Sequence, residues 1–121
     1  MSSLPHDHGP CGQHISQHMP GIDDFLIISD VFKQLADPTR IRLFWLLCHC
    51  EECVINLSAL MDMSSPAVSH HLKQLRAGGL ITSRREGKEV YYTAAANQQA
   101  KMLHDMIKQL VNLTCPEHCE N

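Results

Sequence analysis

The fold is decided by Leu35-Ala-Asp-Pro-Thr-Arg-Ile-Arg-Leu-Phe-Trp-Leu-Leu47, followed by Met63-Ser-Ser-Pro-Ala-Val-Ser-His-His-Leu-Lys-Gln-Leu-Arg76 and then by Arg84-Arg-Glu-Gly-Lys88. In the first stretch Asp37 can cap a helix that opens with Pro38, because the first helical position needs no amide hydrogen bond. In the second, Ser65 is predicted to cap another helix, which ends at Gly78. The third predicts a basic hairpin, because Gly87 can adopt the positive φ of a tight turn. Two helices and a basic hairpin in this order predict a winged helix-turn-helix.

Further segments extend this unit on both sides. The predicted helices cover residues 23–35, 57–61 and 97–113, and the predicted hairpin strands cover residues 80–84 and 89–93. The prediction of the two longer helices rests on apolar residues that recur every three to four positions. The prediction of the short helix rests on Asn56 as its cap. The fold class is therefore predicted to be mainly α-helical with a small β-hairpin wing.

The first and last predicted helices carry apolar stripes outside the helix-turn-helix. The stripes consist of Phe25, Ile28, Phe32 and Leu35, and of Leu103, Met106, Ile107, Leu110 and Leu113. Because a chain of 121 residues has little room to bury both, we expect a homodimer built through these two helices. The alternative is that they pack only on their own domain. That domain covers residues 22–113, between a flexible Cys/His-rich arm (residues 1–21) and a Cys/His-rich tail (residues 114–121).

Composition limits the classes of function. The formal net charge of −3 argues against indiscriminate nucleic-acid binding, but residues 64–93 hold five basic and two acidic side chains, and a local patch is enough to contact phosphates. The sequence has no run of about 18 apolar residues, so no membrane span is predicted, and no signal peptide is expected. We therefore expect a cytoplasmic protein with reduced thiols. An enzyme is not expected, because no nucleophile–base set or phosphate-binding glycine loop is present.

The predicted DNA-binding residues lie on the second helix of the unit and on the hairpin. A helix in the major groove places short polar side chains near its N-terminus on base edges and cations further along on phosphates. Val68, Leu72 and Leu75 are predicted to face inward, leaving the polar side chains, His71 included, on the surface. The candidates are Ser64, Ser65, Ser69, His70, Lys73, Gln74 and Arg76 on the helix, and Arg84, Arg85 and Lys88 in the hairpin. The alternative is an ordinary solvated helix face.

Residues 31–94 resemble the ArsR/SmtB family of metal-responsive bacterial repressors. The matching signatures are Leu35-Ala-Asp-Pro-Thr-Arg40, Ser65-Pro-Ala-Val-Ser-His-His-Leu72 and Gly87-Lys-Glu-Val-Tyr-Tyr92. The resemblance implies a dimer that binds a palindromic double-stranded operator when metal-free and dissociates when a metal binds. It also implies control of genes for metal efflux, resistance or sequestration.

Cysteine and histidine are clustered along the chain. Of six Cys and nine His, twelve fall in three groups: His6, His8, Cys11, His14 and His18; Cys48, His49, Cys50 and Cys53; and Cys115, His118 and Cys119. Thiolates and imidazoles together favour Zn(II) and Cd(II), which take tetrahedral sulfur–nitrogen sites. The clusters therefore predict Zn(II) or Cd(II) as a regulatory ligand.

The resemblance implies which cysteine is central. The family's metal motif at the helix of residues 57–61 corresponds here to Glu51-Glu-Cys-Val-Ile-Asn-Leu57, so that Cys53 matches its first cysteine. Ile55 and Asn56 stand where further ligands are found in the family. The family's second common site would fall on Ala96, Gln98, Gln109 and Asn112, which are poor ligands, and it is predicted to be absent.

The site at Cys53 must therefore recruit ligands from elsewhere. The natural supply is the arm, where a helix would put Cys11, His14 and His18 on one face. The full predicted ligand set is Cys11, His14, His18, Cys50, Cys53, Cys115, His118 and Cys119. The last three would complete the Cys53 site or form a separate one. Cys48 is predicted to be a small core residue, and His104 to lie on a helix face near the dimer interface.

Three alternatives stay open at this point. The Cys48-His-Cys50-Glu-Glu-Cys53 spacing resembles that of arsenite sensors, which makes As(III) or Pb(II) an alternative ligand. A cysteine pair that oxidises to a disulfide would make the protein a thiol-redox or reactive-sulfur sensor. From another class, the chain could be a metal-buffering or structural zinc protein with no operator.

Overall fold

Six helices and three strands make up residues 4–114, the part of the chain that the computed structural model describes. The helices are α1 (Cys11–His18), α2 (Ile22–Gln34), α3 (Pro38–Leu47), α4 (Val54–Met61), α5 (Ser65–Ala77) and α6 (Gln98–Thr114). The strands are β1 (Glu52–Cys53), β2 (Ile81–Glu86) and β3 (Glu89–Ala94), which form an antiparallel sheet in the order β1-β3-β2. The winged helix-turn-helix, mainly α-helical with a hairpin wing, is confirmed.

Local capping explains where α3 and α5 begin. The Asp37 carboxylate accepts a hydrogen bond from the Thr39 amide at 3.0 Å, with Pro38 first in the helix, as predicted. For α5 the predicted cap was wrong by one residue: Ser64, not Ser65, accepts from the Ala67 amide at 3.3 Å. Ser65 instead shares a hydrogen bond of 3.0 Å with Ser58, so two adjacent serines divide capping and inter-helix contact between them.

The prediction for α4 was wrong at its start. The helix begins at Val54 with Cys53 as N-cap, and Asn56 lies inside it, donating from Nδ2 to a Glu52 carboxylate oxygen at 2.9 Å. Strand β1 was not predicted at all. It pairs Glu52 with Tyr92 and Cys53 with Tyr91, and a two-residue strand is too short to leave an alternating pattern in the sequence.

The core lies between α3, α4, α5, α6 and the start of β2. It is mostly aliphatic and comprises Leu43, Phe44, Leu47, Leu57, Met61, Val68, Leu72, Leu75, Leu80, Ile81, Ala100 and Leu103. The predicted inward face of α5 is confirmed by Val68, Leu72 and Leu75, which are at most 1% exposed. This packing holds α5 rigidly, with its opposite face outward.

Within residues 4–114, most of the apolar faces of α2 and α6 are left uncovered. On α2, Phe25, Ile28 and Phe32 are 43%, 44% and 60% exposed, and the helix has no buried residue. On α6, Leu103 is buried, but Leu110 is 53% exposed. A large exposed apolar surface of this kind marks an interaction site.

The arm contains a helix. α1 occupies Cys11–His18 and buries no residue, so its order is local and does not come from packing on the domain. The tail predicted as residues 114–121 lies outside the described residues from residue 115 onward. None of the helices within residues 4–114 is long and apolar enough to cross a membrane.

Candidate DNA interface and metal site

Helix α5 presents a polar face to solvent. It is held against α4 by the Ser58–Ser65 hydrogen bond and by the Met63 amide, which donates to the Ser58 carbonyl at 3.0 Å. The predicted contact residues Ser64, Ser65, Ser69, His70, Lys73 and Arg76 are exposed, and Gln74 is half-buried. A rigid helix with this face outward has the form of a recognition helix for the major groove.

The wing places further cations beside α5. Its turn is closed by Gly87 at φ +64°, the left-handed conformation predicted for that residue. Arg85 and Lys88 are exposed near this tip. Between α5 and β3, Lys73 and Arg76 line a shallow cleft of about 460 Å³ together with Tyr92. Cations are therefore exposed on α5, where two of them line this cleft, and at the tip of the wing.

Among the predicted cationic contacts, Arg84 stands out because it already has acidic partners within the chain. Its Nη2 and Nε lie 2.6 Å and 2.8 Å from the two carboxylate oxygens of Glu51, and its Nη1 lies 2.7 Å from Glu86. The guanidinium also sits 4.9 Å from the centre of the Tyr91 ring. These hydrogen bonds raise the pKa of Arg84 and lower the pKa of Glu51. Arg84 thus ties the wing to the loop between Cys50 and Cys53.

The assignment of His71 to the surface was wrong. Its side chain is 13% exposed and faces α3, where Arg40 Nε donates to its Nδ1 at 3.4 Å and an Asp37 carboxylate oxygen lies 3.7 Å from the same atom. Arg40 also donates to the carbonyls of Lys33 and Gln34 at the end of α2. His71 therefore fastens α5 to the junction of α2 and α3, and its neighbour His70 is the exposed member of the pair.

The three central cysteines have different surroundings. Cys53 is buried, 8% exposed, at the junction of β1 and α4. The Cys50 thiol donates to the Leu46 carbonyl at 3.3 Å, and burial, followed by the nearby Glu52 charge, raises its pKa. Cys48 packs against the core, and burial raises its pKa to about 11. The interpretation of Cys48 as a core thiol agrees with this placement.

The arm carries its three predicted ligands on one exposed helix. On α1 the rings of His14 and His18 lie 4.5 Å apart, with Cys11 one turn before His14, and all three side chains are exposed. The His18 Nδ1 is 2.8 Å from the His14 carbonyl oxygen. The helical arm considered from the sequence is thus present, with Cys11, His14 and His18 exposed along it.

The described part of one protomer does not bring a complete ligand set together. Among residues 4–114, no three His, Cys, Asp or Glu side chains are grouped closely enough to bind a metal ion. Cys53 and Cys50 therefore do not meet Cys11, His14 and His18 within a single described chain. The remaining predicted ligands, Cys115, His118 and Cys119, lie outside the described residues.

Sequence reasoning missed two contacts made across the fold. Arg84 and Glu51 are 33 residues apart. His49 and His104 are 55 residues apart, yet their Nε2 atoms lie 3.1 Å from each other. No local sequence pattern predicts such pairs, because each partner is an ordinary surface residue of its own element.

Known proteins are similar to this chain in sequence and in fold. The model of the family described as "Bacterial regulatory protein, arsR family" matches residues 37–83, from the cap of α3 to the middle of β2. The transcriptional repressor SmtB homolog of Synechocystis sp. is 35% identical over 98 residues, which cover 81% of this chain and 74% of the relative. The chain belongs to the ArsR/SmtB family. The resemblance seen in its three sequence signatures is thereby confirmed.

This ArsR/SmtB protein is also similar to a second repressor and to a solved structure. The arsenical resistance operon repressor of Escherichia coli is 44% identical over 69 residues, 56% of this chain and 59% of the relative, so the chain spans less than two thirds of that protein. The homodimeric winged helix-turn-helix DNA-binding domain of a Mycobacterium bovis protein aligns with a TM-score of 0.68 over 96% of both chains, at 22% identity. That likeness concerns the fold alone.

Proposed function

We propose that this ArsR/SmtB protein is a metal-responsive transcriptional repressor that binds an operator as a metal-free homodimer and dissociates when Zn(II) or Cd(II) binds. The genes released from repression would encode metal efflux or resistance functions. The observation that carries the proposal is the position of Cys53. It occupies the N-cap position of α4 and pairs with Tyr91 of the wing through β1, so a metal at this thiolate would act directly on the two elements that frame the recognition helix.

The DNA-binding step uses the polar face of α5 and the wing. Ser64, Ser69 and His70 lie where short side chains reach base edges, and Lys73, Arg76, Arg85 and Lys88 where cations reach phosphates. Arg84 holds the wing in place through Glu51. A net charge of −3 with this local positive surface favours binding at a defined site and a strong dependence of affinity on salt.

Dimerisation would supply the second recognition helix. The exposed stripes of α2 and α6 are complementary in chemistry, and a twofold axis would cover each with its counterpart. Two recognition helices about one DNA turn apart would then read the two halves of a palindromic site. A regulatory ligand that changes the distance between the two recognition helices would therefore change the affinity for DNA.

Metal binding would change the spacing through Cys53. Its thiolate would be the first ligand, Cys50 lies on the same loop, and Cys11, His14 and His18 of the arm or Cys115, His118 and Cys119 of the tail would complete the site. Thiolate and imidazole donors suit Zn(II) and Cd(II). A coupling free energy of about 1–3 kcal/mol weakens DNA binding roughly 5- to 150-fold, and operator DNA must weaken metal binding by the same factor.

The direct test is a fluorescence-anisotropy titration of a labelled promoter fragment from the protein's own operon. Wild-type protein should bind in EDTA and release the DNA on adding Cd(II) or Zn(II). Cys53→Ser should still bind but no longer release, whereas Cys48→Ser should release as wild type does, since its thiol packs against the core. Equal DNA affinity with and without each metal, or normal release by Cys53→Ser, would overturn the proposal.

Arsenite is the second candidate effector. It is favoured by the Cys-x-Cys-x-x-Cys spacing of Cys48, Cys50 and Cys53 and by the arsenical resistance name of the Escherichia coli relative. Against it stands the core position of Cys48. If arsenite releases the DNA from wild-type protein but not from Cys48→Ser, the effector is As(III) and not a divalent ion.

The same titration separates the two remaining alternatives. Release by peroxide in metal-free buffer would indicate a thiol-redox sensor. Failure to bind any promoter fragment at moderate salt would favour a metal-buffering or structural zinc protein. Only the second of these alternatives leaves the exposed polar face of α5 and the exposed cations of the wing without a role.

A further inference from the structure

His49 and His104 form a close pair outside the thiol cluster. His49 follows the end of α3, and His104 lies in the second turn of α6. Their Nε2 atoms are 3.1 Å apart, and the ring centres are 4.9 Å apart with planes inclined at 65°. The pair therefore links the helix that precedes the cysteine loop to the helix that carries the exposed apolar stripe.

The Trp45 ring packs against both histidines. It lies one helical turn before His49, with ring centres 4.7 Å apart, and it stacks on His104 at 4.7 Å with planes only 22° apart. His104 is 22% exposed and His49 is exposed. The indole thus restricts the plane of His104, while His49 keeps access to solvent and to ions.

The distance between the nitrogens suits a shared ion. Two nitrogens bound to one tetrahedral Zn(II) at about 2.0–2.1 Å are roughly 3.3–3.4 Å apart, close to the 3.1 Å seen here. The Asp105 carboxylate lies 3.6 Å from His104 Nδ1. A carboxylate near the ring nitrogen that does not bind the ion is often found behind a histidine ligand.

From this geometry we propose that His49 and His104 form a second, nitrogen-only site for a borderline divalent transition ion such as Ni(II) or Zn(II). Imidazole suits these ions. Since residues 4–114 of one chain bring no third His, Cys, Asp or Glu into such a group, water completes the coordination. The site takes no arsenite, because it offers no thiolate, and it does not depend on the thiolate site at Cys53.

The consequence of binding is a link between α3 and α6. Without metal, the two rings share one hydrogen bond between their Nε2 atoms. With metal, two coordinate bonds replace it, and the end of α3 is held against α6. The cysteine loop that follows α3 would then be coupled to the helix proposed for dimerisation.

Trp45 supplies a reporter for this site, because it is the only tryptophan in the chain. Ni(II) bound between the histidines would lie beside the indole and quench its fluorescence. Titration of the full chain should show saturable quenching. His49→Gln and His104→Gln should weaken the apparent Ni(II) affinity by at least about tenfold, whereas His8→Gln, a substitution in the exposed arm, should leave it unchanged.

Two comparisons keep the test decisive. Quenching that persists in Cys53→Ser supports a separate site, and quenching lost in Cys53→Ser assigns the ion to the thiolate site and overturns the proposal. Since His104→Gln also alters packing on Trp45, a second measurement uses wild-type protein only. Ni(II) should protect His49 and His104 from carbethoxylation, measured by mass spectrometry. Unchanged modification of both residues at saturating Ni(II) would overturn the inference without affecting the proposed repressor function.

Discussion

Helices α5 and α2 both carry apolar stripes with the helical period, but the stripe on α5 is buried and the stripe on α2 is exposed. Val68, Leu72 and Leu75 on α5 are at most 1% exposed, whereas Phe25 and Phe32 on α2 are 43% and 60% exposed. Both stripes have the spacing of an amphipathic helix. The period therefore identifies which face is apolar, but it does not identify what covers that face.

The difference comes from what holds each helix. α5 is enclosed by α3, α4 and the start of β2, and its first turn is capped by Ser64. α2 touches the domain mainly near its C-terminal end, where Val31 packs on the core and Arg40 donates to the last carbonyls. We expect α5 to contribute to the stability of a protomer and α2 to the stability of the assembly.

The largest expected effect tests the buried stripe. Leu72→Ala should lower the free energy of unfolding by about 2–5 kcal/mol, because it removes buried methyl groups and leaves a cavity. The measurement is urea denaturation followed by circular dichroism. Leu60→Ala on α4 is a matched control, because Leu60 is 54% exposed and such substitutions usually change stability by less than about 0.5 kcal/mol. Equal effects of the two substitutions would refute the distinction between buried and exposed faces.

A smaller effect is expected at the exposed stripe, and in a different quantity. Phe32→Ala should weaken dimerisation by about 2 kcal/mol, as truncation of a central aromatic interface residue typically does. Sedimentation velocity over a concentration series measures the shift, with Leu60→Ala again as control. A dimer of unchanged affinity, or a wild-type protein that is monomeric throughout the series, would mean that this stripe is not the interface.

The smallest effect concerns the wing, which depends on neither stripe. The pKa of Glu51 is lowered by the hydrogen bonds from Arg84, so the stabilisation from this pair is present above the ordinary pKa of glutamate and lost as the pH falls through the lowered value. The Tm difference between wild type and Arg84→Gln should therefore be largest near neutral pH and shrink on acidification at low salt. Arg85→Gln, an exposed neighbour, should show no such trend. A difference independent of pH would exclude an ionic origin.

Much of the helix-turn-helix could be predicted because its signals are local. Asp37 with Pro38 marks the start of α3, and Gly87 marks the turn of the wing. The prediction of Ser65 as the α5 cap failed by one residue because Ser64 and Ser65 are chemically equal. Only the contact of Ser65 with Ser58 of the preceding helix distinguishes them.

The candidate site was less accessible to sequence reasoning. The importance of Cys53 followed from the resemblance, but its position at the N-cap of α4 and its pairing with Tyr91 required the tertiary structure. The burial of His71 and the partners of Arg84 likewise depend on residues distant in the chain. Exposed polar side chains carry no periodic signal that would reveal such partners.

The chain by itself determined which segments after residue 21 become helices, where the wing turns and which donors are available for a metal, because capping, helical period and ligand chemistry act within a few residues. Tertiary structure alone decided that α5 is covered while α2 is not, that Arg84 bonds to Glu51, and that His49 meets His104. Those outcomes depend on distances between segments dozens of residues apart. Such distances are set only when the core of α3, α4 and α5 has packed.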